Sequence, residues 1–241
     1  MTDYVLTLSD AEVARYRLMA QAAARSEKER WTAAGLTEGA RVADVGCGPG
    51  AVSMVLAGIV GPTGAVYAVD RDPGALSIAR RTADEAGLSN VLTSEGTATA
   101  TGLAPASVDV AMLRHVLAHN GGREQAIVDH LATLVRPGGS VYLVDVDATA
   151  MRMHPPDAAG SVVELVDCYE RLHAGLGNDL SVGLRLGELL DTAGLEQVDH
   201  QGHYQIVRAQ PGLRPPPWAA RDEWDFTLFA PIFTASARKP A

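Results

Sequence analysis

Residues Val42-Ala43-Asp44-Val45-Gly46-Cys47-Gly48-Pro49-Gly50 constrain this chain more than any other segment. A short apolar run ends in glycines at alternate positions, and a helical pattern follows over Ala51–Val60. The spacing predicts a strand, a tight turn and a helix start. Glycine at such a turn allows positive φ and lets a ligand lie against the main chain. The first-turn N–H groups of the following helix have no intrahelical partner and favour a negative group. A small, partly anionic ligand is expected at this turn.

Two readings of the loop compete. The dinucleotide fingerprint is G-x-G-x-x-G, whereas Gly46, Gly48 and Gly50 form G-x-G-x-G and Ala51 follows. Asp44, two residues before the first glycine, suits an amine-bearing ligand better than a pyrophosphate. A second apolar strand, Val66-Tyr67-Ala68-Val69, ends in Asp70. This acid falls near the roughly 20-residue spacing of a carboxylate that grips ribose hydroxyls, and its two oxygens can accept from both. A 2′-phosphate would be repelled there despite Arg71.

Further along, strands are expected at Arg41–Gly46, Ala65–Asp70, Asn90–Glu95, Val108–Leu113 and Ser140–Asp145. Helices are expected at Ala51–Val60, Pro73–Ala86 and Arg123–Val135. This alternation points to a parallel sheet covered on both faces. Pro137-Gly138-Gly139 reads as the turn that stops a helix and starts a strand. Ser9 to Leu36 reads as one helix preceding the first core strand, with Ser9 and Glu12 in a capping-box pattern; it would cover the ligand cleft or pack on another subunit. After Asp147, prolines at 155 and 156 interrupt regular pairing. Helices are expected at Ala158–Ala174 and Val182–Ala193, and strands at Glu196–Gln201 and Phe226–Ala237. The proline-rich Pro211–Pro217 separates the last two.

The ordered pattern over Ala40–Arg238 resembles the class I S-adenosylmethionine-dependent methyltransferases. Asp44 with the three glycines is similar to their motif I, Asp70 to the acid after the second strand, and Glu95-Gly96-Thr97-Ala98 to the segment flanking the adenine. Asp109 and its strand match the fourth-strand motif, and Leu134-Val135-Arg136-Pro137-Gly138-Gly139 the turn before strand five. The resemblance implies an α/β Rossmann-like fold. Its seven-stranded, mostly parallel sheet has an antiparallel last strand and lies in three α/β/α layers. An N-terminal helical extension (1–39) would precede a methyltransferase domain (40–241) with a small helical cap at about 151–193. It implies S-adenosylmethionine as cofactor, held by Asp44, Gly46, Gly48, Gly50, Asp70, Arg71, Gly96, Thr97, Ala98 and Arg114, the last on the methionine carboxylate. Leu113-Arg114-His115-Val116-Leu117 looks like the small-molecule branch that includes quinone-biosynthesis C-methyltransferases. No N-P-P-Y-type tetrapeptide follows strand four, which speaks against DNA bases or glutamine as acceptor.

Methyl transfer from a sulfonium is an in-line displacement with a neutral leaving group, so alignment is the main requirement. His115 and His119 follow strand four at the edge where doubly wound sheets bind ligands. Four residues apart, they are expected to share a helix face and to offer a general base, or else to be packing residues. H-V-L-A-H lacks the acid of the zincin motif, so no metal is expected. Asp145, at the end of strand five, and Tyr169 and His173, on a cap helix, are the candidate acceptor contacts.

The formal net charge of −9, with basic residues dispersed, disfavours nucleic acid. No apolar run reaches the ~18 residues of a membrane span, and Met1-Thr2-Asp3-Tyr4 does not open a secretory signal. Cys47 and Cys168 lack metal-ligand spacing and fit a reducing cytoplasm. A small-molecule acceptor and a homo-oligomer built through the N-terminal helix are expected. The rival functions are a nicotinamide-dependent oxidoreductase and a non-catalytic cofactor-binding protein.

Overall fold

A computed structural model describes residues 8–154, 170–208 and 227–241. Cys168, Tyr169, most of the expected helix at 158–174 and the proline-rich stretch lie outside them. Among the described residues eight strands form one sheet: β1 (Arg41–Val45), β2 (Ala65–Asp70), β3 (Val91–Glu95), β4 (Val108–Arg114), β5 (Val135–Val146), β6 (Arg152–His154), β7 (Glu196–Arg208) and β8 (Thr227–Arg238). The order runs β3-β2-β1-β4-β5-β8, with β7 along the outer side of β8. The first five strands are parallel and β8 runs antiparallel to β5. The expected seven-stranded frame is therefore present, with β6 as a short addition pairing with β8 beyond the end of β5. The strand order reverses between β1 and β4, the point where open α/β sheets leave a crevice at the strand ends.

Both faces of the sheet are covered, and β4 shows the consequence. Val110 and Met112 pack in one core with Val42, Tyr142 and Val144, beneath α1 (Asp10–Ser26), α2 (Lys28–Ala33) and α3 (Ala51–Val60). Ala111 and Leu113 point the other way, towards α5 (Glu124–Leu134) and the short α7 (Leu186–Thr192). Val110–Leu113, buried on both faces, is apolar throughout, which is why this part of β4 reads as a continuous run. α4 (Pro73–Glu85) packs on β2 and β3. It starts with Asp72 accepting from the Gly74 N–H, and with a proline in its first turn.

Several elements differ from expectation for identifiable reasons. The single N-terminal helix breaks at Glu27, whose φ of −112° and ψ of 2° end α1 and start α2. Only half of the capping box forms: Ser9 accepts from the Glu12 N–H, while the Glu12 carboxylate pairs with Arg15 at 2.8 Å. Pro137-Gly138-Gly139 lies inside β5 rather than before it. There it makes an irregularity between the pairs Val108–Val135 and Val110–Ser140. Residues 182–193 divide into a 3₁₀ turn and α7. Leu180, Val182, Leu186, Leu189 and Leu190 join the main core, so this stretch packs with the sheet and not only over it. β7 runs on to Arg208, pairing with β8 beyond the level of the parallel strands. No helix among the described residues is long and apolar enough to cross a membrane.

Candidate active site at the strand ends

The glycine loop joins β1 to α3 at the switch point. Gly46, Gly48 and Gly50 have φ of 71°, 53° and 77°, the left-handed region that side chains disfavour. Their surroundings differ. A Cβ at Gly46 would lie 2.5 Å from Val116 Cγ2, and one at Gly50 2.7 Å from Ala79 Cβ, whereas one at Gly48 would meet nothing within 4 Å. Two glycines thus permit packing, and the third leaves open space over the backbone. The N–H groups of Gly46 and Cys47 donate to the Val69 carbonyl at 2.8 and 3.1 Å. The loop is thereby tied to the end of β2.

Asp70 completes the connection. Its carboxylate accepts from the Gly48 N–H at 2.8 Å and the Asp72 N–H at 2.9 Å. A carboxylate has about four lone-pair positions, so both oxygens keep capacity for a ligand's hydroxyls. The Asp70 carbonyl accepts from the Gly96 N–H at 3.0 Å, which brings the Gly96-Thr97-Ala98 segment beside it. That segment is shaped by a bridge between Thr97 and Ala100. α3 starts at left-handed Gly50 with no side-chain cap, so its first-turn donors are available to an anionic group.

Asp44 lies buried beneath the loop and accepts from Ser53 Oγ at 2.5 Å. Burial pushes its pKa up to about 6, with the Ser53 bond and the Arg114 charge pulling the other way. At neutral pH it is ionised. Burial, with the Asp44 and Asp70 charges, raises the Cys47 thiol, so Cys47 is not a nucleophile.

The opposite side of the crevice is made differently. His115 does not lie on a helix: it turns at φ 54° directly after β4, and a 3₁₀ turn over Leu117–His119 follows. The two histidines therefore do not share a helix face. Burial, reinforced by Arg114, drops His115 to about 3, and burial with His173 and Arg71 drops His119 to about 4. Both imidazoles are neutral at physiological pH and are weak bases, far from the near-neutral pKa that suits a general base. Asp145 is 0% exposed; its oxygens accept from the Val146 and Ala118 N–H groups. It shapes the turn carrying His119, and burial raises its pKa to about 6. His173, on α6 (described over 170–175), stacks obliquely on His119 with ring centroids 5.1 Å apart. It also pairs with Asn178, whose side-chain oxygen accepts from the Gly121 N–H at 3.1 Å. Exposed Arg71 is near enough to His119 to act on it electrostatically.

Arg114, expected on the cofactor's carboxylate, instead gives both terminal nitrogens to Glu27, at 2.6 and 3.0 Å. Glu27 was not singled out from the sequence. A signal existed: Ala20, Ala23, Glu27, Trp31 and Ala34 repeat at helical spacing, placing an acid on an apolar stripe. Ser53 left a similar trace as the one polar residue of Ala51-Val52-Ser53-Met54-Val55-Leu56-Ala57.

The family model described as "Methyltransferase domain" matches residues 36–172, more than half of the chain. A relative from Sulfolobus acidocaldarius is named a probable cobalt-precorrin-6B C(15)-methyltransferase (decarboxylating). It is 31% identical over 133 residues, covering 54% of this chain and 66% of the relative. A relative of the same name from Methanothermobacter thermautotrophicus is 36% identical over 101 residues, covering 42% and 49%. The chain thus spans less than two thirds of the length of either relative. Among solved structures, a SAM-dependent methyltransferase from Aquifex aeolicus is similar with a TM-score of 0.57 and 18% identity, covering 93% of this chain and 98% of that one. At that identity the likeness speaks for the fold.

Proposed function

The chain belongs to the class I S-adenosylmethionine-dependent methyltransferases, and on that premise we propose that it moves the sulfonium methyl of S-adenosylmethionine to a small organic acceptor. The observation that carries the proposal is the junction of the open Gly48 backbone with Asp70. The Asp70 carboxylate would take the ribose hydroxyls, and the Gly96-Thr97-Ala98 segment would flank the adenine. Asp44 and the glycine loop would seat the amino-acid end. Bound there, the cofactor supplies an electrophilic methyl on a neutral leaving group, and the protein's task is to hold the acceptor in line. Such orientation can contribute up to about 7–11 kcal/mol when the reacting atoms are aligned.

The acceptor would enter beside His115, His119, Arg71 and His173, within a domain spanning 40–241 whose cap takes in part of 151–193. Both histidines are held neutral. This favours an acceptor atom that is already nucleophilic, and the histidines would contact and orient it. A neutral amine or an electron-rich enamine or enolate carbon is such an acceptor, and the cobalt-precorrin relatives are named for methylation at C(15). The net charge of −9 supports a small molecule over nucleic acid.

The test is to incubate the protein with S-adenosylmethionine carrying an isotopically labelled methyl and a panel of corrin precursors, quinols and amines. Appearance of the label in one acceptor, with equimolar S-adenosylhomocysteine, is the expected result. Turnover of a nicotinamide cofactor without labelled product would reverse the assignment.

A further inference from the structure

Glu27 is 3% exposed and sits at the kink between α1 and α2. Its Oε2 accepts from Arg114 Nη1 at 2.6 Å, Tyr142 Oη at 2.9 Å and Trp31 Nε1 at 3.1 Å, and its Oε1 from Arg114 Nη2 at 3.0 Å. Burial raises its carboxyl, but Arg114, Tyr142 and Trp31 outweigh burial and hold it below the ordinary value. The N-terminal extension is therefore fastened by one carboxylate to the last residue of β4.

The position of Arg114 gives this clamp a meaning for the cofactor. In the β1–β4 register Met112 lies opposite Asp44. Arg114 is two residues further on, so it emerges on the same face as Asp44 and is its diagonal neighbour, within reach of a long side chain. Its charge already acts on Asp44. One guanidinium thus acts on two buried carboxylates, and both of its terminal nitrogens go to Glu27. Without Glu27, Asp44 is the carboxylate this cation would neutralise.

We propose that Glu27 is a positioning residue that holds Arg114 away from Asp44, so that no cation pairs directly with the Asp44 carboxylate beneath the seat of the cofactor's amino-acid end. This rests on the cofactor reading given above. S-adenosylmethionine carries a sulfonium, an ammonium and a carboxylate, a net positive charge. Asp44 and Asp70 together suit such a ligand only while Arg114 is spent elsewhere. The N-terminal extension then belongs to the cofactor site although it lies outside the glycine loop.

Three ligands sharing one nucleoside test this by calorimetry: S-adenosylmethionine (net positive), S-adenosylhomocysteine (zwitterionic) and methylthioadenosine (lacking the amino-acid end). Glu27→Gln should weaken S-adenosylmethionine by about tenfold or more, S-adenosylhomocysteine less, and methylthioadenosine not at all. Arg114→Met breaks the same ion pair from its other end, yet should bind S-adenosylmethionine at least as tightly as the unaltered protein. The double variant should recover to within about threefold.

A purely structural clamp makes a different prediction, in which both single variants and the double weaken all three ligands in parallel. That pattern, or unchanged binding by Glu27→Gln, overturns the inference while leaving the cofactor reading intact. Failure of the unaltered protein to bind S-adenosylmethionine overturns both. Should Glu27→Gln not fold, Arg114→Met decides alone, since weaker S-adenosylmethionine binding there contradicts the proposal.

Discussion

On the β1–β2 side of the crevice, the contacts that hold the glycine loop come from the short stretch Asp44 to Asp72, and most of them involve backbone atoms. Gly46 and Cys47 donate to Val69, Gly48 donates to Asp70, and Asp70 also accepts from Asp72. On the β4–β5 side, the contacts join residues far apart in the chain and are made by side chains. Arg114 meets Glu27 across 87 positions, Tyr142 meets Glu27 across 115, and Gly121 meets Asn178 across 57. A backbone-made site is specified by where glycine is required. A side-chain-made site is specified by partners that only the finished fold brings together.

The sharpest way to break this contrast is at the glycines. Gly50→Ala puts a Cβ 2.7 Å from Ala79 Cβ at a φ of +77°. Left-handed strain of about 1–2 kcal/mol and overpacking of about 1–3 kcal/mol should add. Gly48→Ala meets nothing within 4 Å and should cost only the strain, about 1–2 kcal/mol. Denaturant midpoints of the two variants measure the difference. Equal losses would mean that the loop is not open at Gly48.

Asp70→Ala removes the carboxylate proposed to hold the nucleoside half. It should lower affinity for S-adenosylmethionine by about 3 kcal/mol, on the order of a hundredfold, with a much smaller change in melting temperature.

Asp145 sharpens the comparison from the other side through pH. Its pKa rises from 3.8 to about 6 on folding, with burial as the main cause. The native state therefore holds a proton that the unfolded state has released between those values. Its charge costs stability fully above about pH 6, and the cost disappears as pH falls towards 4. The stability of the unaltered protein relative to Asp145→Asn should thus rise on acidification from pH 7 to pH 4, by at most about 3 kcal/mol. Chemical unfolding at both pH values reads the difference; a flat or opposite trend would show that Asp145 is not a buried titrating acid.

The smallest effect is expected at the histidines. His115→Gln and His119→Gln should each lower kcat by less than about tenfold, without changing the pH–rate profile from about pH 6 to 8. Loss of a general base would cost about 10²–10⁴. A loss of that size would give the β4 turn a proton-transfer role.

How much the sequence revealed follows the same division. β2 and α3 have the bounds their periodicity predicts, and β1, β3, β4, α4 and α5 differ by a residue or so, because an apolar run or stripe closed by glycine or proline is a local signal. The positive φ at Gly46, Gly48 and Gly50 was equally legible. His115 was not, since a left-handed turn at a non-glycine residue is imposed by its surroundings: here Asp145 gathers the N–H groups of the following turn. The role of Glu27 was hidden because the partners of its carboxylate lie on β4 and β5. The extension of β7 to Arg208 depends on pairing with β8, which no window around residue 200 contains.

Titration calorimetry with S-adenosylmethionine tests the proposed cofactor seat most directly. One saturable site per chain is predicted, competed by S-adenosylhomocysteine, strongly weakened in Asp70→Ala, with no response to a nicotinamide dinucleotide. No heat from S-adenosylmethionine, or undiminished binding by Asp70→Ala, would contradict it.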